Sequence, residues 1–245
     1  MINVSKKDTA ARFVGAANKF IDTKLALGKV SFALDELTAA THLSVIAARN
    51  QLLRLQEKVT RVSPRQPFFL IVPAEHRVNG APPAAWWLSD YFRWLDRPYY
   101  LALQSAASHY GANPQAIQEI QVMTDKPLRM LRIGKIRVRF FVKKSIRKIP
   151  TQELSPAYAP LLVSTPEATA YDLVKYANRI GGIERAAETI APLLPLIKKR
   201  EMQRVIAIGD NRVLAQTLNS ILEQASADKS SPTLSSPNHK ACLRP

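Results

Sequence analysis

The chain is short of the residues on which most catalytic and metal sites are built. Its 245 residues include one cysteine, Cys242, which excludes an intramolecular disulfide and a cysteine-based zinc site. The four histidines, His42, His76, His109 and His239, are scattered, with no partner at ligand spacing, so no metal and no cofactor are expected. There is no phosphate loop, no Gly-x-Gly-x-x-Gly and no Gly-x-Ser-x-Gly. No apolar run approaches the ~20 residues a membrane-spanning helix needs. The opening MINVSKKDTAARFVG lacks the continuous apolar stretch and cleavage site of a secretory signal. These absences lead to the expectation of a cytoplasmic protein that is not an enzyme.

Acidic residues are also scarce, 19 against 35 Lys and Arg, for a net charge of +16. A surplus of that size points to a polyanionic partner, usually nucleic acid. The charge is blocked rather than spread. Residues 1–72 carry 11 basic against 5 acidic side chains, and residues 126–150 carry 10 against none. Residues 73–125 are slightly acidic, and 151–226 are balanced at 8 against 8.

What is present begins with helical patterning. Residues 5–27 place Ala10, Phe13, Val14, Ala17, Phe20, Ile21 and Leu25 at three-and-four spacing. A second short helix is expected over Ser31–Ala40, and a third opens at Ser44 as SVIAARNQLLRLQEK. Two short strands, Val59–Val62 and Phe68–Val72, follow around a Ser-Pro-Arg-Gln-Pro turn. This order of elements is that of a winged helix-turn-helix over 1–72. In such a module the third helix enters the major groove by its N-terminal half. Its outer face shows Arg49, Asn50, Gln51 and Arg54. Arg bonds guanine bidentately, and Asn or Gln does the same for adenine. Ser44 is expected to cap the helix and touch a phosphate, with Lys58, Arg61 and Arg65 in the wing reaching the backbone or minor groove. The expected partner is therefore double-stranded DNA.

Residues 73–95 read as a connector ending in an aromatic helix, with Trp86, Trp87, Tyr91, Phe92 and Trp94. A second domain is expected over 96–225. Tyr99–Tyr110 reads as a helix and Ile117–Thr124 as a strand. Arg129–Ile133 and Ile136–Val142 read as a hairpin around Gly134-Lys135, the latter strand alternating with a period of two that Phe141 breaks. Arg129, Arg132, Lys135, Arg137, Arg139, Lys143, Lys144, Arg147 and Lys148 make the hairpin region, 126–150, a second basic surface. Like charges this dense repel one another, and nucleic acid or an acidic protein surface would relieve them. Thr165-Pro166-Glu167 has the form of a helix start: a Thr cap, Pro at the first position and an acid in the first turn. Glu167 and Asp172 are accordingly read as structural. Further helices are expected at about 183–197 and 200–224, and the Ser/Pro-rich 226–245 is expected to be a disordered tail.

Several of these segments together resemble the AbiEi-type antitoxin family. They are YYLALQSAASHYGA after Pro98, IQVMTDKPLRMLRIGKIRVRFFVKK, and LLVSTPEATAYDLVKY followed by IGGI, with FALDELTAATHLS and FFLIVP in the N-terminal part. The resemblance covers about residues 7–205. It implies an α+β protein: an N-terminal winged helix-turn-helix followed by a mixed α/β antitoxin domain. It also implies a type IV toxin–antitoxin antitoxin that represses its own operon by binding operator repeats in the promoter. The cognate toxin implied is nucleotidyltransferase-like, and the family supplies no catalytic residues for this chain. Two alternatives stay open on the residues alone: a winged-helix nuclease, and a pure protein-interaction module. The basic hairpin lacks the neighbouring acids a catalytic metal would need.

Overall fold

The computed structural model describes residues 15–112, 119–154, 160–209 and 211–230. In the N-terminal part, helix α1 spans Ala16–Ala26, strand β1 Ser31–Ala33, α2 Leu34–Thr41, α3 Val45–Arg54, β2 Val59–Ser63 and β3 Gln66–Ile71. The expected helix residues before Gly15 lie outside the described residues. α1 has no side-chain cap of its own; instead the Ala17 N–H donates to Gln51 Oε1 of α3 at 2.9 Å, satisfying a donor that a helix start leaves orphaned. The helix expected over Ser31–Ala40 begins late. Ser31–Ala33 is extended because it pairs antiparallel with β3, Phe32 opposite Phe69, and the two rings stack at 5.5 Å. Tertiary pairing here overrides a local helical pattern. α2 then carries Asp35 and Glu36 in its first turn, where the helix dipole favours acids. His42, at φ 57°, ends it in the left-handed conformation, and Ser44 caps α3, its Oγ accepting from the Ala47 N–H at 3.2 Å. The three strands order β1-β3-β2. The hairpin turn is tighter than expected, because Gln66 and Pro67 belong to β3.

Two 3-10 turns, Ala74–Asn79 and Ala84–Trp86, lead into α4, Leu88–Trp94. The expected aromatic helix is therefore shorter, with Trp86 in the turn before it. Trp87, Tyr91 and Phe92 are buried. Tyr91 meets Phe68 of β3 edge-on at 5.5 Å, and Phe92 stacks on Tyr99 at 4.5 Å. One continuous core thus runs from the small sheet through α4 into the large sheet.

The large sheet holds β4 Tyr99–Leu101, β5 Ile120–Thr124, β6 Leu131–Ile133, β7 Ile136–Val142, β8 Thr151–Leu154 and β9 Leu161–Ser164, with α5, Leu103–His109, after β4. Its order is β6-β7-β5-β4-β9-β8. The helix expected over Tyr99–Tyr110 is corrected at its start. Tyr99–Leu101 is an inner strand, antiparallel to β5 and parallel to β9, and helix begins only at Leu103. Both faces of this sheet are covered. Tyr99, Val122 and Phe140 enter the core shared with α4, while their neighbours Tyr100, Met123 and Phe141 enter a second core under the C-terminal helices. Phe141 breaks the polar alternation because its side of the strand is covered as well.

The C-terminal helices are α6 Pro166–Lys175, α7 Ala177–Ile180, α8 Ile183–Ile190, α9 Lys199–Gly209 and α10 Arg212–Ser230. Thr165 caps α6 as expected, its Oγ1 accepting from the Ala168 N–H at 3.4 Å. The helix expected over 183–197 stops at Ile190, and Ala191–Leu196 winds as 3-10 helix around Pro192 and Pro195, which cannot donate to an α-helical ladder. The helix expected over 200–224 is two, the second started by Asn211, whose Oδ1 accepts from the Leu214 N–H at 3.0 Å. Residues 226–230, assigned to the tail, are helical; 231–245 lie outside the described residues.

The hairpin β6–β7 is seated on the connector. Gly134 has φ +55°, and a Cβ there would fall 2.0 Å from the Asn79 carbonyl oxygen. The Lys135 N–H donates to that oxygen at 2.8 Å. Gly134→Ala is expected to cost about 1–3 kcal/mol, because the clash is with backbone that cannot rotate away. The check is the midpoint of thermal unfolding, and an unchanged midpoint would contradict the close approach.

Candidate nucleic-acid interface

Helix α3 buries Ala48 and Leu52 against α1 and the small sheet. Burial on that side turns Arg49, Asn50 and Arg54 to solvent. Ser44 is exposed at the helix start, and α3 has no acid in its first turn, so the positive end of the dipole is not neutralised locally. Gln51 is half-buried and turned inward, its amide oxygen occupied by α1. Its expected place among the base contacts is corrected on that ground. Two exposed residues that the sequence pattern does not single out share the open face: Ile46 at 73% exposure and Leu53 at 70%.

In the β2–β3 hairpin, Arg61 and Arg65 are exposed. Arg61 is held in place, its Nε donating to the Gln66 carbonyl at 2.9 Å, with the guanidinium 5.8 Å from the Phe69 ring centroid. Lys58 lies back toward α1, donating to Asn18 Oδ1 at 2.9 Å. α3 and the β2–β3 hairpin therefore present Ser44, Arg49, Asn50, Arg54, Arg61 and Arg65 on their exposed surfaces.

The second basic surface begins beside the β2–β3 hairpin, because β6 packs against β2. Lys126, Arg129, Arg132, Lys135, Arg137, Lys144, Arg147 and Lys148 are exposed. Arg132 and Arg137 are direct cross-strand partners, and among the described residues neither has an ion pair. Like charges opposed in this way destabilise a hairpin, a cost that an anion bound between them removes. Arg77, outside the 126–150 block, is exposed on the turn that seats the hairpin. Arg139 is partly neutralised by Glu119, at 2.8 Å.

Lys143 does not belong to this surface. It is 2% exposed, and its Nζ donates to Asp172 Oδ1 at 2.5 Å. The other oxygen of Asp172 accepts from the Tyr100 hydroxyl at 2.7 Å. Burial pushes the Lys143 ammonium below its ordinary range, and Asp172 draws it back up. Burial, reinforced by Asp172, pushes the Tyr100 phenol well above its ordinary value, so it stays a neutral donor. The network joins β4, the end of β7 and α6. Glu167 is also buried and accepts the Lys198 N–H at 2.9 Å. The structural reading of Glu167 and Asp172 fits these partners. Nothing in the sequence distinguishes Lys143 from the basic residues around it. The signal lies in its pairing across the fold with an acid inside an apolar helix.

Among the described residues, no group of three His, Cys, Asp or Glu is arranged to hold a metal ion, and no helix is long and apolar enough to cross a membrane. A search of curated proteins returns no significant match. Among solved structures, the chain is similar to the RV2827C protein from Mycobacterium tuberculosis, with a TM-score of 0.61 at 15% identity, over 86% of this chain and 77% of that one. That similarity shows a shared mixed α+β fold. An antigenic nucleotidyltransferase-like protein from Paracoccidioides brasiliensis also aligns, at 10% identity over 56% of this chain and 90% of that one. Its TM-score of 0.36 is too low to carry an argument. The family model for the AbiEi antitoxin C-terminal domain matches residues 100–224, more than half of the chain, from the inner strand β4 through the basic hairpin to α10. The chain belongs to the AbiEi antitoxin family.

Proposed function

We propose that the chain is a DNA-binding autorepressor as well as an antitoxin. On this reading residues 1–72 form a winged helix-turn-helix, joined through 73–95 to an antitoxin domain over 96–225. The observation that carries the reading is the open face of α3, where Arg49 and Asn50 are exposed on the N-terminal half of the helix beside a basic wing. Arg49 and Asn50 contact base edges in the major groove. Ser44, Arg54, Arg61 and Arg65 contact phosphates and set the register. The exposed cations of the β6–β7 region, among them Arg132 on the strand that packs against β2, extend the phosphate contacts beyond one winged helix. The target is operator repeats in the promoter of the chain's own operon, and the partner toxin is nucleotidyltransferase-like.

The test is a reporter gene placed behind the chain's own upstream region. Expression of the chain in trans is expected to repress the reporter, and Arg49→Ala to relieve the repression. The same Arg49→Ala chain is expected still to protect cells from the co-expressed toxin, because the two activities lie in different parts of the molecule. Unrepressed reporter with the intact chain would contradict the regulatory half of the proposal.

A further inference from the structure

The exposed face of α3 is not uniformly polar. Ile46 is the second residue of the helix and stands 73% exposed, and Leu53, two turns later, is 70% exposed. At 3.6 residues per turn the two lie within about 20° of each other around the axis. Arg49 and Asn50 fall about 40–60° to either side of that line. Ile46 therefore sits at the centre of the presented face, on the turn that goes deepest into a groove. An isolated exposed apolar residue needs no explanation. A branched one at the middle of a cationic, acid-free face is different, because a face that met only phosphates and water would gain nothing from it.

We infer that Ile46 is a specificity-determining residue that reads the C5-methyl group of thymine in the major groove. Thymine is the base that presents an apolar group there, beside an acceptor oxygen. The flanking residues fit the same occupant. Arg49 supplies the charge that draws in the duplex, Asn50 is suited to adenine, and an adenine is paired with a thymine on the opposite strand. A site read by Asn50 and Ile46 together would thus hold A·T pairs near the point where the start of α3 enters. The inference rests on the DNA-binding reading above and adds a base preference to it.

The experiment uses the full chain and a duplex enriched from a randomised library by rounds of binding. Each thymine of the enriched duplex is replaced singly by deoxyuridine, which removes the methyl group and leaves the hydrogen-bonding pattern intact. At one or two thymines the replacement is expected to weaken binding about fourfold, the factor for losing the burial of one apolar carbon. Ile46→Ala is expected to abolish the sensitivity at those positions. Leu53→Ala, which trims the same face further from the helix start, is expected to preserve it. Indifference to deoxyuridine at every thymine overturns the methyl contact while leaving DNA binding standing. Undiminished sensitivity in Ile46→Ala overturns it too. If Ile46→Ala instead changes the sedimentation mass of the free chain and leaves the deoxyuridine pattern unaltered, the residue faces a second copy and the inference fails. A chain that enriches no duplex overturns the DNA-binding reading and this inference with it.

Discussion

Asp172→Ala is expected to destabilise the chain by about 3–5 kcal/mol, the range for removing one partner of a buried ion pair. The pair is well enclosed, with the Lys143 and Asp172 side chains 1% and 0% exposed. Without the carboxylate, Lys143 is left in an apolar core with no counter-charge, where it holds its proton at a cost or gives it up, and the Tyr100 hydroxyl loses its acceptor. Marginal stabilities of about 5–15 kcal/mol make such a loss a large fraction of the whole. The pair itself is not therefore a large net gain, since desolvating two charges offsets most of their attraction. The double substitution Asp172→Leu with Lys143→Met is accordingly expected to recover most of the loss. Urea denaturation of the three chains checks this. Equal midpoints for the single and double variants would contradict the account of a stranded charge. The functional consequence is positional, because Lys143 directly follows β7. Loosening it is expected to free the strand that carries Arg137 and Arg139.

The second large effect concerns DNA. Arg132→Gln with Arg137→Gln is expected to weaken binding to any duplex and to lower the slope of log affinity against log salt by about 2, near 0.9 for each phosphate that is no longer neutralised. Arg49→Ala is expected to behave differently. It should cost about 1–3 kcal/mol on the preferred sequence, relax base choice at one position, and change affinity for unrelated sequence much less. Fluorescence anisotropy titrations over a salt series separate the two. If both variants lose affinity for preferred and scrambled duplexes alike, α3 does not read sequence. If the hairpin variant leaves the slope unchanged, the cross-strand arginines do not touch phosphate.

The parts of the fold that are legible in the sequence are those set by local chemistry. Ser44 and Thr165 cap the helices their positions announce, and Gly134 turns the hairpin. The illegible parts are set by distant partners. Phe32 and Tyr100 sit in stretches with helical patterning, yet both lie in strands because a neighbouring strand waits for them. Pro192 and Pro195 are visible in an otherwise helical pattern, and they convert the end of the expected helix to 3-10. For the candidate interface, the sequence shows the charges but not their direction. Gln51 and Lys143 look like their exposed neighbours in composition, and only packing turns them inward. Ile46 is not singled out by the sequence pattern, and its exposure on the side of α3 away from the buried Ala48 and Leu52 is seen only in the fold.

Whether α3 reads DNA sequence is decided by one comparison. The affinity of the full chain is measured for a duplex from its own upstream region and for a scrambled duplex of the same length and composition, at physiological ionic strength, with Arg49→Ala alongside. A clear preference for the upstream duplex is expected, one that Arg49→Ala collapses while affinity for the scrambled duplex barely moves. Equal affinity for the two duplexes, or a preference that survives Arg49→Ala intact, would contradict it.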